Sequence, residues 1–127
     1  MPLRSLEQRL SAMPTSVLAG MRRGIEKESL RARGDGMLAL TPHVAALGSA
    51  LTHPCITTDY SESQLELITA AHPSVDACLA ELREVHQFVA RSLDGEMLWV
   101  SSMPCGLPAD ENIPIGRYGT SNVGRAK

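Results

Sequence analysis

The stretch that most constrains how this chain can fold is GIEKESLRA, Gly24 to Ala32, in which charged and apolar residues alternate. Strand side chains project to alternate faces, so Glu26, Glu28 and Leu30 share one face while Ile25, Lys27, Ser29 and Arg31 share the other. Two carboxylates on one face repel and need a common partner. Arg22, Arg23, Lys27 and Arg31 are near in sequence, so the acids read either as the rim of a solvated ion-pair strand or as part of a site. The E-x-E spacing alone is a weak signal and leaves both readings open.

A second alternating run lies in CITTDYSESQLELIT, Cys55 to Thr69. Its β-branched residues precede Asp59, a polar turn follows, and then Leu65 and Leu67 face one way while Gln64, Glu66 and Ile68 face the other. Asp59 and Glu66 therefore flank one bend or both lie on strand material. Glu62, in the polar turn, reads as a plain exposed carboxylate.

The clearest helix spans residues 75 to 93, where Val75, Cys78, Leu79, Leu82, Val85, Val89 and Leu93 form one apolar stripe behind Ser74 as N-cap, with Gly95 as the stop. Leu3, Leu6, Leu10 and Met13 predict a short amphipathic helix broken by Pro14, and Thr15 or Ser16 can cap a further turn. RGDG is a turn signal before MLAL, the returning strand of a hairpin. TPHVAALGSAL predicts a short helix ending before Pro54, EMLWVSSMP predicts a buried strand, and the chain after Pro104 reads as loop. The class is α+β, with short strands carrying acids, helices covering one side, and a small sheet whose open edges call for a further pairing partner.

Bulk properties exclude several functions. The chain has 127 residues, enough for one domain, and 43% of them are apolar. A net charge of -2 with scattered basic residues excludes nucleic-acid binding by bulk electrostatics. Cys55, Cys78 and Cys105 are odd in number and widely spaced, which argues against a disulfide framework and a structural zinc site. The first residues never build the roughly 7–15-residue apolar run of a signal peptide, and no stretch reaches spanning length. A soluble, cytoplasmic protein with no membrane partner is the expectation.

Glu26, Glu28, Asp59 and Glu66 stand out because each sits in an apolar or β-branched context. Clustered carboxylates are unfavourable unless protons or cations offset their charge, and hard oxygen donors suit Mg²⁺ or Mn²⁺, which in turn hold phosphates. His43, His53, His72 and His86 form no metal-ligand spacing, and the glycines of GTSNVGR, although able to approach a phosphate, belong to no phosphate-loop pattern.

Taken together, RRGIEKESLR, HVAALGSALTHPCITTDYSESQLELIT, SSMPC and YGTSNVGR resemble the N-terminal part of proteobacterial glutamate–cysteine ligase, also called γ-glutamylcysteine synthetase. The resemblance runs from about Leu6 to Lys127. It implies a partial glutamine-synthetase-like antiparallel sheet with covering helices, whose concave face holds acidic metal ligands. It also implies a carbon–nitrogen ligase that uses ATP and Mg²⁺ or Mn²⁺ to join glutamate to cysteine in glutathione biosynthesis. On this resemblance Glu26, Glu28, Asp59 and Glu66 match Mg²⁺ ligands, and Tyr60 matches an aromatic position of the cysteine pocket; no catalytic residue is singled out. Family members are several times longer, so residues 1–127 read as an incomplete N-terminal part of the catalytic domain, a fragment not expected to be active without the remainder of the ligase chain. Two other readings stay open: a stand-alone ligase-derived binding or regulatory module, and an unrelated metal-dependent phosphotransferase.

Overall fold

Both alternating runs become strands, and their periods of two lock together. In this computed structural model, which describes residues 4–118, β1 is Glu26–Arg33 and β3 is Gln64–Ile68. They pair antiparallel with Glu28 opposite Glu66, Lys27 opposite Leu67 and Ser29 opposite Leu65. β2, Ile56–Thr58, pairs antiparallel with β3, and β4, Glu96–Leu98, pairs antiparallel with the last three residues of β1. The sheet order is β2-β3-β1-β4. The expected α+β class with a small, open antiparallel sheet is what forms.

One sheet face is covered by α3, Val75–Ser92. Ser74 caps it by accepting from the Ala77 N–H at 3.2 Å, and Asp76 lies in the first turn, where its charge suits the helix dipole. The core between them holds Leu47, Ile56, Leu65, Leu67, Val89, Leu93 and Leu98. Leu65 and Leu67 face this core and Glu66 faces away, as their alternation requires. A second cluster, Ala32, Leu38 and Cys105 with Leu30, Trp99 and Ile113 packed against it, anchors the chain after β4.

Several elements depart from the sequence reading. The helix expected over TPHVAALGSAL is a single 3-10 turn, Ala45–Leu47, because no side chain caps Val44 and Gly48 at φ 77° ends the turn at once. The returning strand MLAL pairs through isolated bridges, Ala32 with Leu38 and Met37 with Gly106, after a turn in which Gly36 takes φ 80°. EMLWVSSMP yields only β4. After Leu98, the Trp99 N–H donates to the Leu30 carbonyl and the indole N–H folds back onto the Met103 carbonyl at 2.7 Å, which bends the chain off the sheet. Val100, past the bend, is exposed rather than buried, and Met97 within β4 is exposed too. The last stretch is not all loop either, since Asp110–Asn112 makes a 3-10 turn and Ser61 bridges Ile115.

At the N-terminus α1, Leu6–Ser11, has a capping box between Ser5 and Gln8. α2, Thr15–Ala19, starts with Pro14 at the N-cap rather than Thr15 or Ser16. Neither helix buries a residue, and Leu6, Leu10, Val17, Leu18 and Met21 are each more than half exposed. The GTSNVGR glycines lie outside the described residues.

Arg31 ties these parts together. Its side chain is wholly buried; Nη1 donates to Glu96 at 2.6 Å and Thr41 Oγ1 at 2.7 Å, and Nη2 donates to the carbonyls of Thr41 at 2.6 Å and Glu62 at 3.0 Å. Removing one partner of a buried ion pair leaves the other desolvated, at a cost of about 3–5 kcal/mol. Arg31→Ala should therefore lower stability by about 3–5 kcal/mol, a large share of the usual range of about 5–15 kcal/mol. Urea unfolding of the two chains measures this, and a loss under about 1 kcal/mol would contradict the assigned role.

Candidate functional site

The face of the sheet turned away from α3 collects the acids. Register alone puts Glu28 directly opposite Glu66, with Glu26 two residues along on the same side. Thr57 pairs with Glu66 across β2 and β3, and Asp59 follows the end of β2, its N–H directed at the Gln64 carbonyl at 3.4 Å. Glu26 and Glu28 are exposed, while Asp59 and Glu66 are half-buried. Gln64 donates to Glu28 at 2.6 Å across the strands.

Electrostatics tie Glu66 to the other three acids. Partial burial pushes the Glu66 carboxyl above its ordinary value, repulsion from Glu26, Asp59 and Glu28 adds to the shift, and a hydrogen bond shared with Glu26 adds further. The neighbouring cations do not relieve this repulsion. Arg22 donates to the Ala71 carbonyl, Arg23 to that of Pro73, Lys27 to Ser29 Oγ, and Arg31 is paired with Glu96. Among the described residues the ion pairs are Arg31–Glu96, Arg33–Asp35 and His72–Glu81, so Glu26 and Glu28 are not the rim of an ion-pair strand.

The donor set is all carboxylate oxygen, the chemistry that suits a hard divalent cation. In number it is short: among the described residues no three His, Cys, Asp or Glu side chains form a group that could hold a metal ion. The face is therefore a row of coupled acids rather than a closed ligand cage. Beside it, Glu28, Leu30, Gln64, Trp99, Ser101, Met103 and neighbouring atoms line a cleft of about 250 Å³.

Tyr60 is 64% exposed and lies at a separate cleft of about 440 Å³ shared with Ser61, Asp110, Glu111, Ile113, Pro114 and Ile115. The bend that carries Asp59 and Tyr60 is held by residues the sequence did not single out. Tyr118 donates its hydroxyl to the carbonyls of Thr58 and Asp59, and Gly116 donates its N–H to the Tyr60 carbonyl at 2.8 Å. A Cβ at position 116 would fall 2.9 Å from the Asp59 carbonyl oxygen, so only glycine fits there.

Glu62 corrects the sequence reading most sharply. It is buried, not exposed, and its two carboxylate oxygens accept the His43 N–H at 2.7 Å and the Arg117 N–H at 2.6 Å. Nothing in the polar SES context signals this, because both partners are backbone groups remote in sequence. His43 is structural too: its ring meets Thr58 Oγ1 and the Gly48 carbonyl, and burial lowers its pKa below the ordinary value.

The sequence pattern of the family described as Glutamate-cysteine ligase matches residues 6–127. The chain is 51% identical over 129 residues to the glutamate–cysteine ligase of Alcanivorax borkumensis, covering 98% of this chain and 25% of that protein. It is 60% identical over 112 residues to that of Azotobacter vinelandii, covering 88% and 21%. Among solved structures it superposes with a TM-score of 0.80 and 39% identity on the Francisella tularensis glutamate–cysteine ligase in complex with AMP, covering 85% of this chain and 22% of that one. The chain thus spans about a quarter or less of the length of these relatives. No helix among the described residues is long and apolar enough to cross a membrane.

A raised Glu66 pKa has a definite consequence for stability. The folded chain holds this proton more tightly than the unfolded one, so the contribution is fully present below about pH 4.3 and is lost as pH rises through the raised folded value. Glu66→Gln removes the repulsion. The variant is expected to be more stable than the parent at pH 7, with the gap closing on acidification through the carboxylate range; denaturant midpoints across pH 3.5 to 7.5 check this, and a parent that is the more stable chain at pH 7 would count against it.

Proposed function

The chain belongs to the glutamate–cysteine ligase family, and from that membership we propose that residues 1–127 form the N-terminal part of a ligase catalytic domain. The reaction is the ATP-dependent joining of the L-glutamate γ-carboxylate to the L-cysteine amine, giving γ-glutamylcysteine in the first step of glutathione biosynthesis. The carboxylate takes the γ-phosphoryl group with ADP leaving, and the amine attacks the resulting γ-glutamyl phosphate with phosphate leaving. The observation that carries this reading is the row of coupled acids on the open sheet face, with Glu28 opposite Glu66. Nucleotide use is supported by the AMP-bound relative.

Glu26, Glu28, Asp59 and Glu66 would hold Mg²⁺ or Mn²⁺, which supplies charge neutralisation for the phosphoryl group in flight. Burial of Glu66 and repulsion on it from Glu26, Asp59 and Glu28 disfavour the charged arrangement without a cation, and a bound cation would relieve that cost. Because no three of the described acids form a complete metal-binding group, the remaining donors would come from ligase sequence beyond residue 127. The open half of β1 fits the same division. Among the described residues β4 pairs with Arg31, Ala32 and Arg33 and no strand pairs with Glu26 to Ser29 on that edge, where a further strand would fit. Tyr60 would contribute its exposed ring to the cysteine pocket.

A second reading, a stand-alone ligase-derived binding or regulatory module, is favoured by the core of seven buried residues that α3 closes over the sheet. Hydrogen exchange separates the two: slow cooperative exchange in the isolated chain favours the module, and exchange near that of an unfolded chain favours the fragment.

In a ligase-length protein carrying this segment, Glu26→Gln and Glu66→Gln are each expected to lower kcat for glutamate- and cysteine-dependent ADP release by about 10²-fold or more. Near-normal turnover in either variant would remove the proposed metal role.

A further inference from the structure

The opposite side of β1 carries the reverse charge. Lys27 lies on the helix-covered face, opposite Leu67 in register, and meets Leu79, Leu82, Arg83 and His86 of α3 at a crevice of about 270 Å³. Positions 79, 82, 83 and 86 are spaced by three and four residues, so one helix face presents two apolar and two basic side chains together.

None of the three basic groups is in an ion pair among the described residues, whose ion pairs lie elsewhere. Among the described residues the Lys27 ammonium donates to the Ser29 hydroxyl alone, at 2.5 Å. Burial, and then the charge of Lys27, hold His86 below its ordinary pKa, so at neutral pH it is an uncharged ring able to donate one N–H. Lys27 is a partly buried cation without a counter-charge among the described residues, which is unfavourable, and an anion placed between it and the exposed Arg83 relieves the cost. The undescribed residues, Met-Pro-Leu at the start and Gly119 to Lys127 at the end, contain no Asp or Glu, so they supply no acidic side chain to fill the crevice.

We propose that this crevice is a carboxylate site: Arg83, Lys27 and His86 hold the carboxylate of a short aliphatic acid, and Leu79 and Leu82 cover its apolar stem. The volume falls just under the roughly 300–1,000 Å³ of drug-sized ligand pockets, which limits the occupant to a short molecule or one acidic side chain. Arg83 supplies the planar fork suited to a carboxylate, and Lys27 a point charge on the strand side. The site is on the opposite face of β1 from Glu26 and Glu28 and is independent of any metal they hold.

The probe is sodium butyrate, compared with sodium chloride at equal ionic strength and with 1-butanol, and the readout is the urea midpoint of the 127-residue chain. A ligand that binds only the folded form raises that midpoint by mass action even where the chain is marginally folded. Butyrate should raise it saturably where chloride and butanol do not, and Arg83→Ala and Lys27→Met should each weaken the apparent affinity about tenfold or more. Equal effects of butyrate and chloride, or variants with parental affinity, overturn the proposal. Repetition on a ligase-length protein identifies the source. A retained butyrate effect assigns the site to a free acid, and loss of the effect with a destabilising Arg83→Ala assigns it to an acidic side chain of the longer polypeptide. Loss of the effect with a neutral Arg83→Ala overturns the proposal.

Discussion

The buried guanidinium of Arg31 is the constraint on which the rest of the structure depends. Its four donated bonds join β1 to β4 through Glu96, to the segment after β1 through Thr41, and to the bend between β2 and β3 through the Glu62 carbonyl. Thr41 Oγ1 in turn donates to Glu96, closing the network, while Arg31 Nε has no partner among the described residues. A pair this deeply buried adds little net stability over a well-packed apolar alternative, yet it is costly to break. Its effect is to fix position. β1 and β4 are already paired as strands, but the segment at Thr41 and the bend at Glu62 are not strands of the sheet, so the guanidinium fixes their spacing from it.

That spacing determines the acid face. The bend held by Arg31 from below carries Asp59 and Tyr60, and the Glu62 carboxylate clamps the same bend to the backbone of His43 and Arg117. Tyr118 and Gly116 close it from the other side. Asp59 is thereby kept near Glu66, whose pKa is raised first by partial burial and then by repulsion from Glu26, Asp59 and Glu28. The four acids tolerate this because their face is open to water, where Coulomb repulsion is screened.

One strand thus separates opposite charges by its pleat alone. Glu26 and Glu28 project to the open face, Lys27 and Arg31 to the helix-covered face, and neither basic residue neutralises the acids beside it in sequence. The ion-pair reading of the sequence failed for this reason: adjacency along a strand is opposition across the sheet. The same geometry gives each face its own chemistry, an acidic row on one side and a basic crevice under α3 on the other.

The periodic elements were legible in the sequence. The alternation of Glu26 to Arg31 and of Gln64 to Ile68 determined which side chains share a face, and Ser74 with the stripe from Cys78 to Val89 determined α3 and its buried side. Those signals are local, since a period of two or 3.6 residues is set by neighbouring positions. Pairing register, by contrast, depends on contacts between segments far apart: only the tertiary structure put Glu28 opposite Glu66, buried Glu62, and turned TPHVAALGSAL into a single 3-10 turn. Glu62 and Arg31 look like ordinary surface charges in sequence because their partners are backbone groups and side chains up to 65 residues away. Local pattern chose the faces, and long-range hydrogen bonding chose which charges could be buried there, because a buried charge is stable only where distant groups converge to satisfy it.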